Sequence, residues 1–188
     1  MAETEKPNLS RYRDRMEKAV GALKDELASL RTGRASASLL DQVHVEAYGA
    51  RMPISQIGSV STPDPRSLMV NVWDKAVVVS VEKAIRAAGL GLNPVVEGQN
   101  LRIPIPPLTE ERRRDLAKLA AKYAEQQRVA IRNVRRDAMD DLRHAEKALI
   151  IAQDEHKRLE HEVQKLTDEA VRHVDDTLKI KEQEIMQV

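Results

Sequence analysis

Arginine, not histidine, serine or cysteine, is the chemistry-bearing residue whose spacing forms a pattern. Cysteine is absent, which removes disulfides, thiolate zinc sites, iron–sulfur clusters and cysteine nucleophiles. His156 and His161 are five apart, the wrong spacing for two ligands on one helix face, and no His-Glu-x-x-His occurs. Gly89-Leu90-Gly91 lacks a following Gly-Lys-Ser/Thr, and Ser59 and Ser61 lack a Gly-x-Ser-x-Gly setting. No catalytic residue, metal site or cofactor is therefore expected. Between Leu108 and Arg136, however, nine basic residues face four acidic ones, whereas Asp137–Val188 carries eight basic and fourteen acidic residues.

On a helical wheel with Leu116 at zero, Arg114, Lys118, Arg128, Arg132, Arg135 and Arg136 fall between about 100° and 200°. The apolar residues Leu116, Leu119, Tyr123, Ala130, Val134 and Ala138 centre near zero. The six cations thus read as a ridge opposite the core. Five of them are arginines, which fork onto phosphates. The bland alternative is an ordinary solvated face. With one Trp, three Tyr and no Phe, a nucleic-acid partner would be read through backbone and shape rather than base sequence.

The elements that must position this ridge follow from composition. Of fifteen Gly and Pro residues, thirteen lie between Thr32 and Pro107, a stretch of 76 residues with only 13 charges. The flanks hold the other 48 charges. The expected organisation is α+β: a three-helix bundle from residues 1–31 and 107–188, interrupted by a small β/α/β domain over 32–106. Leu9, Tyr12, Met16, Ala19, Leu23, Leu27 and Leu30 mark the first helix. Leu108–Val188 is too long for one helix, so a hairpin is expected, turning near Ala148–Ala152. Leu149, Leu159, Val163, Leu166 and Ala170 form the stripe of its second arm.

In the middle segment Val43, Val45 and Ala47 alternate with His44, Glu46 and Tyr48, and Gly49-Ala50 reads as the turn. Leu68–Trp73 reads as a covered strand, and Leu101, Ile103 and Ile105 as a final one. Asp74 caps a helix with Val78, Val81, Ile85 and Ala88 on one face, although Val77-Val78-Val79 favours strand. The passages joining the domains, Arg31-Thr32-Gly33-Arg34 and Pro104-Ile105-Pro106-Pro107, are candidate hinges. Neither a membrane span nor a secretory signal is evident, so the chain is expected to be cytoplasmic.

Several runs together resemble bacterial ribosome recycling factors. They are Leu30-Arg31-Thr32-Gly33-Arg34-Ala35-Ser36, Val81-Glu82-Lys83-Ala84-Ile85, Leu90-Gly91-Leu92-Asn93-Pro94, Pro106-Pro107-Leu108-Thr109-Glu110-Glu111-Arg112-Arg113, Arg128–Ala138 and Gln164-Lys165-Leu166-Thr167. The resemblance implies an L-shaped pair of domains whose bundle binds large-subunit ribosomal RNA. It implies splitting of post-termination ribosomes with elongation factor G and GTP, by a factor that hydrolyses nothing itself. It matches Arg132 and Arg135 to RNA-contacting positions and adds Arg113. Where the last helix begins, relatives often carry a Ser cap and this chain has Ala152. A coiled-coil adaptor is the competing class and predicts self-association, whereas a bundle that buries its own seams stays monomeric. A nonspecific nucleic-acid chaperone is a third reading and predicts equal binding to any RNA.

Overall fold

The structure, a computed structural model, describes residues 5–187. Residues 1–4 and 188, the extreme ends of the expected bundle, lie outside the described residues. The chain forms two compact units, one from residues up to Leu30 and from Glu110 onward, the other from Arg31–Thr109.

Among its described residues the first unit contains three long helices, α1 (Leu9–Ala28), α3 (Glu110–Lys147) and α4 (Gln153–Met186). Asn8 caps α1, its side chain accepting from Ser10 N at 3.0 Å. Glu110 and Glu111 occupy the first turn of α3, where the helix dipole favours negative charge. Tyr12, Met16, Leu23 and Leu27 of α1 meet Leu116, Ile131 and Leu142 of α3 and Leu159, Val163, Val174 and Ile185 of α4 in the core. Ala120, Ala124, Ala138 and Ala145 are also buried on α3. The buried Thr167 hydroxyl is satisfied by Val163 O at 2.8 Å.

The α3–α4 turn falls at Ala148–Ala152, as the sequence indicates. Leu149 takes the left-handed conformation (φ 59°), and Ile150 N closes back onto Ala145 O at 2.9 Å. This overturns the place of Leu149 in the apolar stripe: it is 90% exposed, and Ile151 is buried in its stead. Leu30 likewise lies beyond the end of α1. Ala152 gives α4 no side-chain cap; Asp154 and Glu155 supply negative charge to the first turn.

The second unit has one helix, α2 (Val78–Ala87), and six strands: β1 (His44–Ala47), β2 (Ala50–Pro53), β3 (Gly58–Asp64), β4 (Ser67–Val72), β5 (Val95–Glu97) and β6 (Asn100–Pro104). Strands β1 and β2 form a hairpin, and the other four an antiparallel sheet in the order β3-β4-β6-β5. Val45, Leu68, Val70, Val72, Val81, Ile85, Leu101 and Ile103 pack as its core.

Two strands exceed the expected β/α/β pattern. Strand β3 is mostly exposed, and every residue of β5 is exposed, so neither carries an apolar alternation. What holds β3 is close backbone approach: a Cβ on Gly58 would stand 2.3 Å from Asn71 O. The β1–β2 turn is Tyr48-Gly49 rather than Gly49-Ala50, because Ala47 pairs with Ala50 and both turn residues have positive φ (54° and 74°). Tyr48 reaches Asp74 with its hydroxyl, and Asp74 also accepts from Ala76 N at 2.9 Å. That cap opens a 3-10 turn, Lys75–Val77, rather than α2 itself, which starts from Val77 with no side-chain cap.

Candidate nucleic-acid interface

Helix α3 carries the basic residues, and the observed burial shifts its apolar face. Leu116, Ala120, Ala124, Ile131, Val134, Ala138, Leu142 and Ala145 are buried. Leu119, Tyr123 and Ala130, which set the expected centre, are only half-buried. The face therefore centres about 40° from Leu116, at 100° per residue. Arg128 and Arg135 then sit on its flank, not opposite it.

The structure divides the predicted ridge accordingly. Arg114, Lys118, Arg132 and Arg136 are exposed. Among the described residues, the side chains of Lys118 and Arg136 have no hydrogen-bond or ion-pair partner, while Arg114 pairs with Glu110 one turn earlier. Arg128 is half-buried and committed to acids: its Nε and Nη2 donate to Asp175 Oδ1 of α4 at 2.9 and 2.6 Å, and its Nη1 to Glu125 Oε2 at 3.0 Å. Burial opposes the Arg128 charge, but the hydrogen bonds to Asp175 and Glu125 outweigh it and raise its pKa. Arg135 is half-buried too. Its Nη1 donates to Gln164 Oε1 of α4 at 2.8 Å, and its buried Nε has no partner among the described residues. Gln164 is itself held by Asp168 at 2.9 Å. Arg113 lies near the apolar side of the wheel and donates to Met186 O at 3.4 Å.

Sequence reasoning missed the acceptors. Glu125 accepts from Arg132 Nη2 at 2.5 Å as well as from Arg128. These bonds, Arg132's first, hold its carboxyl below the ordinary glutamate range. The Glu125–Arg128 spacing of three is legible in the sequence. Asp175 is not, because its partner is set by the register of α4 on α3.

The candidate hinge residues separate in the same way. Gly33 has φ +75°, and an added Cβ would lie 3.2 Å from Leu108 Cγ. Arg31 and Arg34 are exposed and Thr32 is half-buried. Pro106 and Pro107 are exposed and outside any helix or strand. Pro104, by contrast, is the last residue of β6 and pairs with Ser67, so it belongs to the sheet. Ala35 N donates to Pro65 O at 2.8 Å and Ile105 N to Arg66 O at 2.7 Å, fixing the inner ends of both passages.

Little else converges. A cleft of about 730 Å³ between the β1–β2 hairpin and α2 is lined by His44, Glu46, Arg51, Ser80 and Lys83. His44 Nδ1 lies 3.1 Å from Gln42 O, not against Ser80. Among the described residues, no group of three His, Asp or Glu side chains could hold a metal ion, and no helix is long and apolar enough to cross a membrane.

Fold and surface together define a helical bundle interrupted by an antiparallel sheet unit, with an arginine-rich face on its longest helix. Residues 23–186 match the family described as ribosome recycling factor. The chain is 72% identical over its full length to the ribosome-recycling factor of Caulobacter vibrioides, and 71% to that of Phenylobacterium zucineum, covering 100% of each. It is also similar to a solution structure of a ribosome recycling factor, with 44% identity, 95% of each chain covered and a TM-score of 0.67. A second neighbour is the T. thermophilus ribosome recycling factor bound, with E. coli elongation factor G, to the E. coli post-termination complex. It shares 49% identity, with 95% of this chain and 97% of that one covered and a TM-score of 0.59. The chain belongs to the ribosome recycling factor family.

Proposed function

We propose that this chain recycles ribosomes: with elongation factor G and GTP it splits the post-termination ribosome into subunits, freeing mRNA and deacylated tRNA. The observation that carries this reading is the full-length likeness to ribosome-recycling factors, one of them bound with elongation factor G to that complex. The factor acts as a monomer in the cytoplasm and performs no bond chemistry; the energy comes from GTP hydrolysis by its partner.

The α3 face binds large-subunit ribosomal RNA. Arg132, Arg136, Arg114 and Lys118 are exposed and meet phosphates directly. Arg128 and Arg135, tied to α4, brace that surface, and Arg113, toward the apolar side near the start of α3, adds a separate contact off the face. Arg31–Arg34 and Pro106-Pro107 are the places where the sheet unit swings when elongation factor G pushes it. Gly33 supplies a conformation that other residues reach only with strain. The test is subunit splitting of post-termination ribosomes by the purified chain with elongation factor G and GTP. Intact ribosomes after incubation, under conditions where a family relative splits them, would sink the reading.

A further inference from the structure

Two arginines one turn apart, Arg128 and Arg132, converge on a single carboxylate. Arg132 reaches Glu125 across seven residues, about 10.5 Å along the axis, by folding its side chain back along the helix toward the N-terminus. Glu125 presents one oxygen to each guanidinium, Oε1 to Arg132 and Oε2 to Arg128. A phosphate offers the same arrangement of charged oxygens.

We propose that Glu125 is a built-in stand-in for an RNA phosphate, filling a two-arginine cradle that ribosomal RNA occupies by exchange. The inference rests on the RNA-contact reading of α3 given above. Three features carry it. Arg128 keeps its place when Glu125 leaves, because Nε and Nη2 stay on Asp175; only Nη1 changes acceptor. The Glu125 side chain is 54% exposed, so a rotamer change delivers it to water rather than into the protein. Arg132 is 52% exposed and, among the described residues, pairs with Glu125 alone, so it is the charge released.

The exchange makes binding conditional. A lone phosphate displaces a carboxylate already bonded to both arginines and gains little. An RNA surface that also engages Arg136 and Lys118 recovers the loss through those additional contacts. Glu125 thereby sets the same displacement cost for every RNA that enters the cradle, and only a surface with the additional contacts enters it readily.

The experiment measures binding of the full chain to purified large ribosomal subunits and to a short poly(U) RNA across a salt series. The variants are Glu125→Gln, Arg132→Gln and, as a control of equal charge change, Glu160→Gln on the exposed face of α4. Glu125→Gln frees one phosphate contact. For poly(U), which leaves Glu125 in place in the parent, the slope of log affinity against log salt should therefore steepen by about 0.7–0.9, which is roughly a five- to eightfold gain at 0.1 M salt. Subunits, which fill the cradle by exchange in the parent, should gain affinity with little change of slope, and Glu160→Gln should produce neither change. If Glu125→Gln binds no better than the parent while Arg132→Gln loses binding, the stand-in role is overturned and the RNA interface survives. If Glu160→Gln gives the same gain, the effect is bulk charge and the proposal falls. If Arg132→Gln binds as the parent does, the interface reading itself fails.

Discussion

Replacing Arg136 and Arg128 separately by Gln tests whether pairing sorts the arginines of α3 by role. Arg136 is exposed and its side chain has no partner among the described residues. Its loss removes about one phosphate contact, so the slope of log affinity for large subunits against log salt flattens by about 0.7–0.9. Stability should stay within about 0.5 kcal/mol of the parent. Arg128 behaves in the opposite way. Its side chain is 23% exposed and makes three hydrogen bonds to Asp175 and Glu125. Bonds of this charge-assisted kind contribute about 1.5–3 kcal/mol when desolvated. Here both acceptors sit half in water and rehydrate, which reduces the loss to about 1 kcal/mol. For a chain of this size that lowers the melting temperature by about 2–4 °C. Its charge is already balanced by Asp175, so the salt slope should move by less than half of the Arg136 change. The assays are equilibrium binding over a salt series at roughly physiological ionic strength and thermal unfolding by circular dichroism. An Arg128 variant that flattens the slope as much as Arg136 with no thermal cost would refute the sorting.

Other outcomes follow from packing and strain. Gly33→Ala places a Cβ against Leu108 in a left-handed backbone; it should destabilise by about 1–2 kcal/mol and slow splitting, and Gly33→Asn, which tolerates that conformation, should recover much of both. Pro at the same position cannot adopt φ +75° and would confound strain with stiffness. Ile131→Ala, at a fully buried position of α3, should cost about 2–5 kcal/mol in urea unfolding, whereas Leu149→Ser, 90% exposed in the turn, should leave the midpoint nearly unchanged. Burial, and then the hydrogen bond to Asp141, raise the Tyr12 pKa above the ordinary tyrosine range, so the folded state holds the phenolic proton more tightly than the unfolded chain. Its contribution is full below about pH 10 and declines as pH rises beyond that. Tyr12→Phe should flatten that alkaline decline in a pH series of unfolding curves.

Period and punctuation made much of this fold readable. The α1 stripe, the cap at Asp74, the strand around Leu68–Val72 and the turn at Ala148–Ala152 all rest on local signals, namely apolar spacing and breakers. Strands β3 and β5 left no such trace, because their pairing depends on backbone bonds to neighbours rather than on a buried face. The misplaced wheel centre has a related cause. Leu119 and Tyr123 have the larger side chains, yet Ala120 and Ala124 are the fully buried residues, because the packing of α1 and α4 on α3, not side-chain size, sets the buried face. The arginines were visible as types and spacings. Their division into free and braced groups was not, since Asp175 and Gln164 reach them from the adjacent helix.

The pinning of both passages onto neighbouring residues has a consequence for assembly on the ribosome that makes the chain. Helix α1 ends at Ala28 and α3 begins at Glu110, so closing the bundle from an unfolded chain means closing a loop of about 80 residues. At roughly 5–20 residues per second, α1 waits roughly 4–16 s for its first partner to emerge. The last strand of the sheet unit, β6, ends at Pro104, so the whole unit emerges before α3 begins. Once folded, it ties Ala35 to Pro65 and Ile105 to Arg66, so the two strands of chain leaving it start side by side. The loop still to be closed shrinks to roughly a dozen flexible residues, which lowers its entropic cost by roughly 2 kcal/mol. The insert thus acts as a clasp, shortening the search by which Leu23 and Leu27 find the core of α3 and α4.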